Sequence, residues 1–313
     1  MEKLSILVTG GAGYIGAIMV PELLASGHNV TVLDNFMYRQ NSLSHVCAAE
    51  NFSLINGDAR QEDQLRPLVS KADVIIPLAA LVGAPICEKD PIGARSLNFD
   101  AQKMLLEMLS SDQMVLAPIT NSGYGVGEKD VLCTENTPLR PVSLYGRHKV
   151  EIEEVILSRE NSISFRLATV FGMSPRMRLD LLVNDFVYRA KTDRTVVLFE
   201  SHFKRNYIHV RDVTNVFMHG LRQFGKLKGE AYNVGLSDAN LSKRELCEVI
   251  RRHIPGFIFL EAEIGQDPDK RDYIVSNDKI ESTGFRAKHS LDDGIQELIK
   301  GYQMISNSLY TNN

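Results

Sequence analysis

Two residues that could carry acid–base chemistry, Tyr145 and Lys149, lie four positions apart in the stretch SLYGRHKVEIEEVI. On a helix this spacing places the phenol and the ammonium on one face, within reach of a common ligand. A free tyrosine titrates at about 10, too high for a base at neutral pH, but a nearby cation favours the phenolate. The pair predicts a proton-accepting tyrosine, although taken alone the spacing is also typical of a solvated helix face.

A glycine-rich turn, VTGGAGYIGA, lies near the start of the chain. Gly10, Gly13 and Gly16 follow a short apolar run and precede the amphipathic run IGAIMVPELLAS, and Gly11 completes a G-x-G-x-x-G pattern with the last two. Backbone amides at a helix start suit a pyrophosphate, and the missing β-carbons let phosphates approach closely. A tight turn is the alternative reading, but the strand–glycine–helix order favours a dinucleotide site.

The second apolar run ends in VLDN, which places Asp34 where an acidic residue binds the adenosine ribose hydroxyls. A carboxylate there repels a 2′-phosphate, so the sequence favours NAD over NADP as the cofactor. Arg39, five residues further on, is the nearby side chain that could instead accommodate that phosphate.

The elements that must position these residues alternate in the first half of the chain. Short Val-, Ile- and Leu-rich runs are separated by stretches long enough for crossover helices, which predicts an α/β fold with a Rossmann-type, doubly wound parallel sheet. The regular alternation of strand-like and helix-like segments ends near Gly172, and only the strand-like runs RNYIHV and AYNVG follow later. We expect a dinucleotide-binding domain over residues 1–172, with returning segments near 206–237, and a smaller C-terminal α/β substrate-binding lobe over 173–313.

Composition excludes several other classes. The net charge is -4, with 35 basic and 39 acidic residues and no basic block, so we expect no nucleic-acid partner. No run approaches the ~20 apolar residues of a membrane span, and the start does not resemble a signal peptide, so we expect a cytoplasmic protein without a membrane partner. The four cysteines form no CxxC pair, which predicts reduced thiols. The eight histidines have no metal-ligand spacing, so we expect no bound metal. We expect His209 to have a structural role and His148 to be exposed on a helix.

Taken together, these motifs resemble the extended short-chain dehydrogenase/reductases, specifically the nucleotide-sugar epimerase/dehydratase branch. The resemblance runs over essentially the whole chain, through TGGAGYIG, Asp34, GDAR, LAALVG, Asn98, TNSGYG, the Tyr145/Lys149 pair, RNYIHVRDV and DPDKRDYIVSNDKI. It implies NAD as cofactor and a hydride transfer at carbon 4 of a sugar, with Tyr145 as the base, Thr120 hydrogen-bonded to the reacting oxygen, and Lys149 also on the nicotinamide ribose. The implied NAD-contacting residues are Gly10, Gly13, Tyr14, Ile15, Asp34, Asn35, Asp58, Ala59, Leu78, Ala79, Ala80, Leu81, Tyr145 and Lys149.

The residues after Thr120 separate the branches of this family. Dehydratases carry Asp-Glu there and 3,5-epimerases carry a cysteine at the position of Ser122, whereas this chain has Asn121 and Ser122. The resemblance thus implies chemistry confined to carbon 4, either net oxidation or epimerisation. The LVGAPICEKDP loop and the TNSGYG variant resemble a capsule-sugar subgroup that includes GDP-heptose 4-dehydrogenases more than they resemble ordinary UDP-galactose 4-epimerase, and 4-epimerisation of a UDP-hexose stays open.

The resemblance also indicates the substrate side and the assembly. Arg205 and Arg271 resemble the arginines that clamp a nucleotide diphosphate, and Asn184 resembles a residue that binds the diphosphate or the base. The family uses helices near 95–110 and 145–160 as a four-helix homodimer interface. Two other classes remain open: a non-catalytic, NAD-binding redox regulator of the same fold, and a reductase of steroid-like or flavonoid-like alcohols, which the two arginines disfavour.

Overall fold

The computed structural model describes residues 3–262 and 271–305, so residues 267–270 of the DPDKRDYIVSNDKI motif lie outside the described residues. In the described residues the strands are β1 Ser5–Thr9, β2 Asn29–Asp34, β3 Phe52–Asn56, β4 Val74–Pro77, β5 Met114–Thr120, β6 Leu132–Cys133, β7 Ser162–Leu167, β8 Thr169–Phe171, β9 Thr195–Leu198, β10 Lys204–His209, β11 Glu230–Val234, β12 Asn240–Ser242, β13 Ile258–Glu261 and β14 Ile274–Val275. The helices are α1 Gly16–Ala25, α2 Glu62–Val69, α3 Ala84–Lys89, α4 Pro91–Arg95, α5 Ala101–Glu107, α6 Leu144–Leu157, α7 Leu182–Thr192, α8 Val210–Arg222, α9 Phe224–Leu227, α10 Lys243–His253, α11 Asp278–Ser282 and α12 Leu291–Gly301.

Seven parallel strands form the central sheet, in the order β11-β7-β5-β4-β1-β2-β3. Strand β1 pairs with β2 on one side and β4 on the other, with Val8 opposite Val32 and Ile76. The inner strands β1 and β4 are mainly apolar and buried because helices cover both faces of the sheet, whereas the edge strand β3 is mostly exposed. The predicted doubly wound parallel sheet is confirmed, and the strand order reverses beside β1, which opens a crevice at the carboxyl ends of the strands.

Three smaller sheets are built mainly from the second half of the chain, with β6 added from the first half. Strands β12, β10 and β8 form one of them, and the pairs β13–β9 and β14–β6 form the others. Residues 207–209 pair with β8, and Asn206 pairs with Asn240 of β12, so this segment lies in a small sheet instead of the central one. Strand β11, by contrast, pairs with β7 at the edge of the central sheet.

Two large hydrophobic cores support these halves. In the first core, Val216 and Phe217 of α8 pack with Met19 and Leu23 of α1, so α8 covers the central sheet although it lies late in the chain. The second core is built from α7, α10, α12 and the small sheets. Tyr14 of the glycine-rich turn belongs to this second core, and it joins the two halves directly beside the turn.

Helix α6, which carries Tyr145 and Lys149, is fixed at both ends. Ser143 caps its start by accepting a hydrogen bond from the Gly146 amide at 3.1 Å. Further along, Glu153 forms a buried ion pair with Arg166 of β7, at 2.9 Å. Because removing one partner of a buried pair leaves an uncompensated charge, a substitution of either residue alone should destabilise the packing of this helix on the sheet.

None of the helices within residues 3–262 and 271–305 combines the length and the apolar character that a bilayer span requires.

Candidate active site

One long cleft lies at the carboxyl ends of the central strands, between the two halves of the molecule. All but three of the predicted site residues line it, and these lining residues are Gly10, Gly13, Tyr14, Ile15, Asp34, Asn35, Asp58, Ala59, Leu78, Ala79, Ala80, Thr120, Tyr145, Lys149 and Arg271. Asn184 and Arg205 do not line the cleft, and neither does Leu81, which the family resemblance had placed along the cofactor. The fold thus gathers residues from both ends of the chain around one space.

The glycine-rich turn is a close backbone packing that side chains would block. Gly10 has a φ of +70°, and a β-carbon there would lie 2.6 Å from the Ala79 amide nitrogen. A β-carbon at Gly16 would lie 2.2 Å from the Gly11 carbonyl oxygen. Gly13 lines the cleft just before α1 begins, while the amides of Gly10 and Gly13 donate within the protein, to the carbonyls of Leu33 and Gly10. A helix start without β-carbons fits the close approach of a dinucleotide pyrophosphate.

Asp34 lies at the end of β2, on the wall of the cleft. Its carboxylate accepts hydrogen bonds from the amides of Ala12 at 3.0 Å and Phe36 at 2.8 Å. Burial raises the pKa of this carboxyl, and the amide donors oppose that effect. A carboxylate already oriented by the turn suits the hydroxyls of an adenosine ribose.

Asp58 and Ala59 continue the same end of the cleft after β3. Arg60 donates to the Asp58 carboxylate, and this hydrogen bond is the main reason that the pKa of Asp58 is lowered. An apolar Ala59 beside a fixed carboxylate matches the flat ring and polar edge of adenine.

Lys149 is buried and its ammonium donates to the Pro118 carbonyl at 3.0 Å. Burial lowers its pKa to about 8. Pro118 belongs to β5, two residues before Thr120, so the hydrogen bond fixes the lysine next to the reacting end of the cleft. A lysine held in this way can donate to a ligand hydroxyl with its remaining N–H groups.

Tyr145 lies one helical turn before Lys149 and packs with Leu81 and Cys87. Burial raises the pKa of its phenol, and the charges of Arg178 and Arg271 act in the opposite direction. The sequence indicated Lys149 as the cation that favours the Tyr145 phenolate. The structure shows that two arginines from the second half of the chain, Arg178 and Arg271, also act to lower the pKa of this phenol.

The hydroxyls of Thr120 and Ser122 form a chain that ends on Arg271. Thr120 Oγ1 donates to Ser122 Oγ at 2.9 Å, the Ser122 amide donates to Thr120 Oγ1 at 3.1 Å, and the Arg271 guanidinium donates to Ser122 Oγ. Asn121 between them is fully buried and does not line the cleft. This loop therefore presents hydroxyls to the cleft, with neither a carboxylate nor a thiol.

Asn184 has a different position from the one predicted. Its Oδ1 accepts from the Gly172 amide at 3.0 Å, and its Nδ2 donates to the Arg178 carbonyl at 2.9 Å and to the Tyr14 hydroxyl at 3.3 Å. Both amide hydrogens are thus used inside the protein, so a role in binding the diphosphate or base does not fit. Asn184 instead joins helix α7 to the glycine-rich turn.

Arg205 also differs from the prediction. It is only 2% exposed and donates to the Lys204 carbonyl at 2.8 Å. Its guanidinium carbon lies 5.8 Å from the ring centroid of Tyr273, and it is Tyr273 that lines the cleft. Arg205 therefore lies behind the cleft wall, while Arg271 lies in it.

Sequence reasoning missed two arginines that line the cleft, Arg176 and Arg178. Arg178 pairs with Asp180 and donates to the Val82 carbonyl at 3.3 Å. The signal was the SPRMR stretch, in which two arginines follow the last strand-like run of the predicted dinucleotide domain.

The histidines make contacts within the protein. His209 is buried with Nε2 2.6 Å from a Glu297 carboxylate oxygen, which fits its predicted structural role. His148 is 4% exposed, so the prediction of an exposed residue was wrong; it lies on the side of α6 near Arg95 and Asp100. In the described part of the chain, no group of three or more His, Cys, Asp or Glu side chains is arranged to hold a metal ion.

Comparison with known proteins places the chain in a family. Residues 6–235 match the model of the NAD dependent epimerase/dehydratase family. The low-salt glycan biosynthesis protein Agl12 of Haloferax volcanii is 29% identical over 315 residues, covering 96% of this chain and 98% of that protein. UDP-glucose 4-epimerase 2 of Arabidopsis thaliana is 27% identical over 267 residues, covering 74% of this chain and 75% of that protein.

Solved structures show the same fold over nearly the full length. The Thermus thermophilus UDP-glucose 4-epimerase complex with NAD superposes with a TM-score of 0.82 at 23% identity, covering 96% of this chain and 99% of that one. UDP-glucuronic acid 4-epimerase from Bacillus cereus, in complex with UDP-glucuronic acid and NAD, gives 0.85 at 22% identity, covering 96% and 99%. The chain therefore belongs to the NAD-dependent epimerase/dehydratase family and is an enzyme whose cofactor is NAD.

Proposed function

We propose that this enzyme oxidises carbon 4 of a nucleotide-diphosphate sugar to a ketone. The observation that carries the proposal is the convergence of Thr120, Tyr145 and Lys149 on one cleft, next to a loop that offers hydroxyls and Arg271 but no acid or thiol. Proton removal from a hydroxyl needs a base and a hydrogen-bonding partner, and this set supplies both. Removal of a 6-hydroxyl, or epimerisation next to the ketone, needs further acid–base groups that this loop lacks.

In the proposed reaction each residue has one role. Thr120 hydrogen-bonds the oxygen on carbon 4, and Tyr145, as the phenolate, takes the proton from that oxygen. NAD, when bound, accepts the hydride that leaves carbon 4. Lys149, held by Pro118, orients the ribose next to the reacting carbon, and Arg178 and Arg271 stabilise the phenolate through their charge.

The substrate that we favour is GDP-heptose. The LVGAPICEKDP loop and the TNSGYG stretch support it, because both resemble a capsule-sugar subgroup that includes GDP-heptose 4-dehydrogenases. Arg271 supplies a guanidinium for the diphosphate. Synthesis of a capsular polysaccharide is the corresponding biological setting, and Agl12, a glycan biosynthesis protein, is among the relatives.

A UDP-hexose 4-epimerase is the second candidate, and the UDP-glucose 4-epimerase from Arabidopsis thaliana favours it. The hydride would then return from the reduced cofactor to the opposite face of carbon 4, and Tyr145 would return the proton to the oxygen. The two candidates differ in whether a ketone leaves the enzyme.

Incubation of the purified enzyme with GDP-heptose, and separately with UDP-glucose, tests the choice. Without an added oxidant, we expect a 4-keto GDP-sugar by mass spectrometry and NMR in an amount equal to the NADH formed at 340 nm. An added keto acid, which reoxidises the NADH, should increase the amount of the 4-keto sugar beyond that of the NADH. A 4-epimer of UDP-glucose without added oxidant would select the epimerase. Unchanged GDP- and UDP-sugars in both reactions would refute the proposal.

We also propose that the enzyme is a cytoplasmic homodimer with helices near 95–110 and 145–160 at its interface. Within one chain these segments already touch, through an ion pair between Arg95 and Glu151. Sedimentation at micromolar concentration should give twice the monomer mass, and a monomer would contradict the proposal.

A further inference from the structure

The segment 173–181, which follows β8, is tied directly to the glycine-rich turn. The Tyr14 hydroxyl donates to the Gly172 carbonyl at 2.6 Å, and the Ser174 hydroxyl donates to the Tyr14 carbonyl at 2.7 Å. Asn184 adds a third contact by donating to the Tyr14 hydroxyl. These bonds place a segment from the second half of the chain over the residues that face the pyrophosphate position.

Arg176 projects from this segment into the cleft, near the adenosine end. Its guanidinium carbon lies 4.4 Å from the ring centroid of Tyr38, a residue of the loop after β2 that also lines the cleft. Burial raises the pKa of Asp34, and the positive charge of Arg176 acts against that rise. Arg176 therefore lies on Tyr38 at the end of the cleft that holds Asp34.

The position has the properties of an anion site. Arg176 is 6% exposed and the 7% exposed Arg178 is close enough to disfavour its charge, so two buried cations share one wall. The stacking on Tyr38 fixes the plane of the guanidinium, which reduces the entropy lost when it binds a ligand. An anion opposite this wall is stabilised both by Arg176 and by the amides of the turn.

We propose that Arg176 is a cofactor-binding residue supplied by the second half of the chain, and that it holds the adenosine-side phosphate of NAD. The phosphates of the cofactor are then bound from both sides of the cleft, by the glycine-rich turn at the start of α1 on one side and by the Arg176 guanidinium on the other. This inference rests on NAD lying in the cleft and is independent of the chemistry at carbon 4.

Binding measurements on the folded protein test the proposal without turnover. NAD, ADP-ribose and adenosine would be titrated into the wild type and into Arg176→Ala, by calorimetry for the first two and by displacement of NADH fluorescence for adenosine. We expect the Kd of NAD and of ADP-ribose to rise about tenfold or more, which matches the loss of one charge-assisted hydrogen bond. The Kd of adenosine, which lacks the phosphate, should change by less than about twofold.

Arg39→Ala is the matched control, because Arg39 is an exposed arginine of the Tyr38 loop that does not line the cleft. It removes the same charge nearby and should leave all three Kd values within about twofold of wild type. Arg176→Gln retains much of the side-chain length and serves if the alanine variant does not fold; it should show the same selective loss.

Two results would overturn the proposal. One is an NAD affinity within twofold of wild type in a folded Arg176 variant. The other is an equal weakening of NAD, ADP-ribose and adenosine, since this would show that Arg176 only maintains the shape of the cleft.

Discussion

The two walls of the cleft are built in different ways. The first wall, formed by Gly10, Gly13 and Asp34, offers a helix start without β-carbons and a carboxylate at a strand end, and each of the three is fixed by hydrogen bonds within the protein. The second wall, formed by Arg178 and Arg271, offers long cationic side chains from irregular segments. One wall is therefore set by the local fold, and the other depends on contacts between the two halves of the chain.

This difference indicates that the two walls of the cleft respond differently to substitution. Anion recognition by backbone amides needs no side chain and survives most substitutions, whereas guanidinium groups can be removed singly. Substitutions should thus separate loss of catalysis and of substrate binding from loss of cofactor binding.

The largest effect is expected at Tyr145. Tyr145→Phe removes the proton acceptor but keeps the ring packed with Leu81 and Cys87. Turnover should fall by roughly 10²–10⁴-fold, while the Kd of NAD stays within about twofold. Tyr188→Phe, outside the cleft, is the control and should retain activity. Substantial activity in Tyr145→Phe would exclude this residue as the base.

Arg271 and Arg205 provide the sharpest comparison within the second half of the chain. Arg271→Ala should weaken binding of GDP or UDP by about tenfold or more, because a charged hydrogen-bond donor is lost from the cleft. Arg205→Ala should change that affinity by less than about twofold but lower the free energy of unfolding by about 1–3 kcal/mol, because the residue is buried behind Tyr273.

Titration calorimetry and urea unfolding measure the two effects. Equal losses of nucleotide affinity in both variants would contradict the assignment of Arg271 to the cleft and Arg205 to its support.

Lys149 gives a prediction about stability. Burial lowers its pKa to about 8, below the ordinary value of about 10.4. The folded state therefore carries the full cost of the buried charge below pH 8, and the cost disappears as pH rises from about 8 to 10.4. Lys149→Met should be inactive yet more stable at pH 7 by about 1–3 kcal/mol, after allowance for the lost hydrogen bond to Pro118.

Urea unfolding of both proteins between pH 7 and 10 measures this difference. The advantage of Lys149→Met should shrink as pH rises, and an advantage that grows with pH would show that the lysine is not buried as a costly charge.

The smallest effect is expected from substitution of Asp34, which should alter the preference of the enzyme for NAD over NADP. Asp34→Ala, with Arg39 intact, should reduce the preference for NAD over NADP several-fold, because the carboxylate that repels a 2′-phosphate is gone. Asp34→Asn keeps an oxygen for the Ala12 or Phe36 amide and separates charge from turn geometry. A wild-type enzyme that prefers NADP would show that Asp34 has been misread.

The first wall was predictable from the sequence because its information is local. Gly10, Gly13 and Asp34 lie within one strand–helix–strand unit, so their spacing alone places them together. Tyr145 and Lys149 share a helix face for the same reason. The alternation of apolar runs also predicted the parallel sheet.

The second wall was harder to predict because burial and long-range contacts decide it. Asn184 and Arg205 have the residue types of a diphosphate site, but the fold uses them for internal hydrogen bonds and packing. Arg176 and Arg178 reach the cleft only because Tyr14 binds the segment that carries them. No periodicity in the sequence encodes that contact.

The central claim is that chemistry is confined to carbon 4, and isotope incorporation tests it most directly. The enzyme would be incubated with NAD and the reacting GDP- or UDP-sugar in deuterated water, and the product would be analysed by NMR and mass spectrometry. Because the loop of Thr120 and Ser122 offers neither an acid nor a thiol, carbons 3 and 5 should remain undeuterated while carbon 4 is oxidised or inverted. Deuterium at carbon 5, or loss of the 6-hydroxyl, would contradict the account.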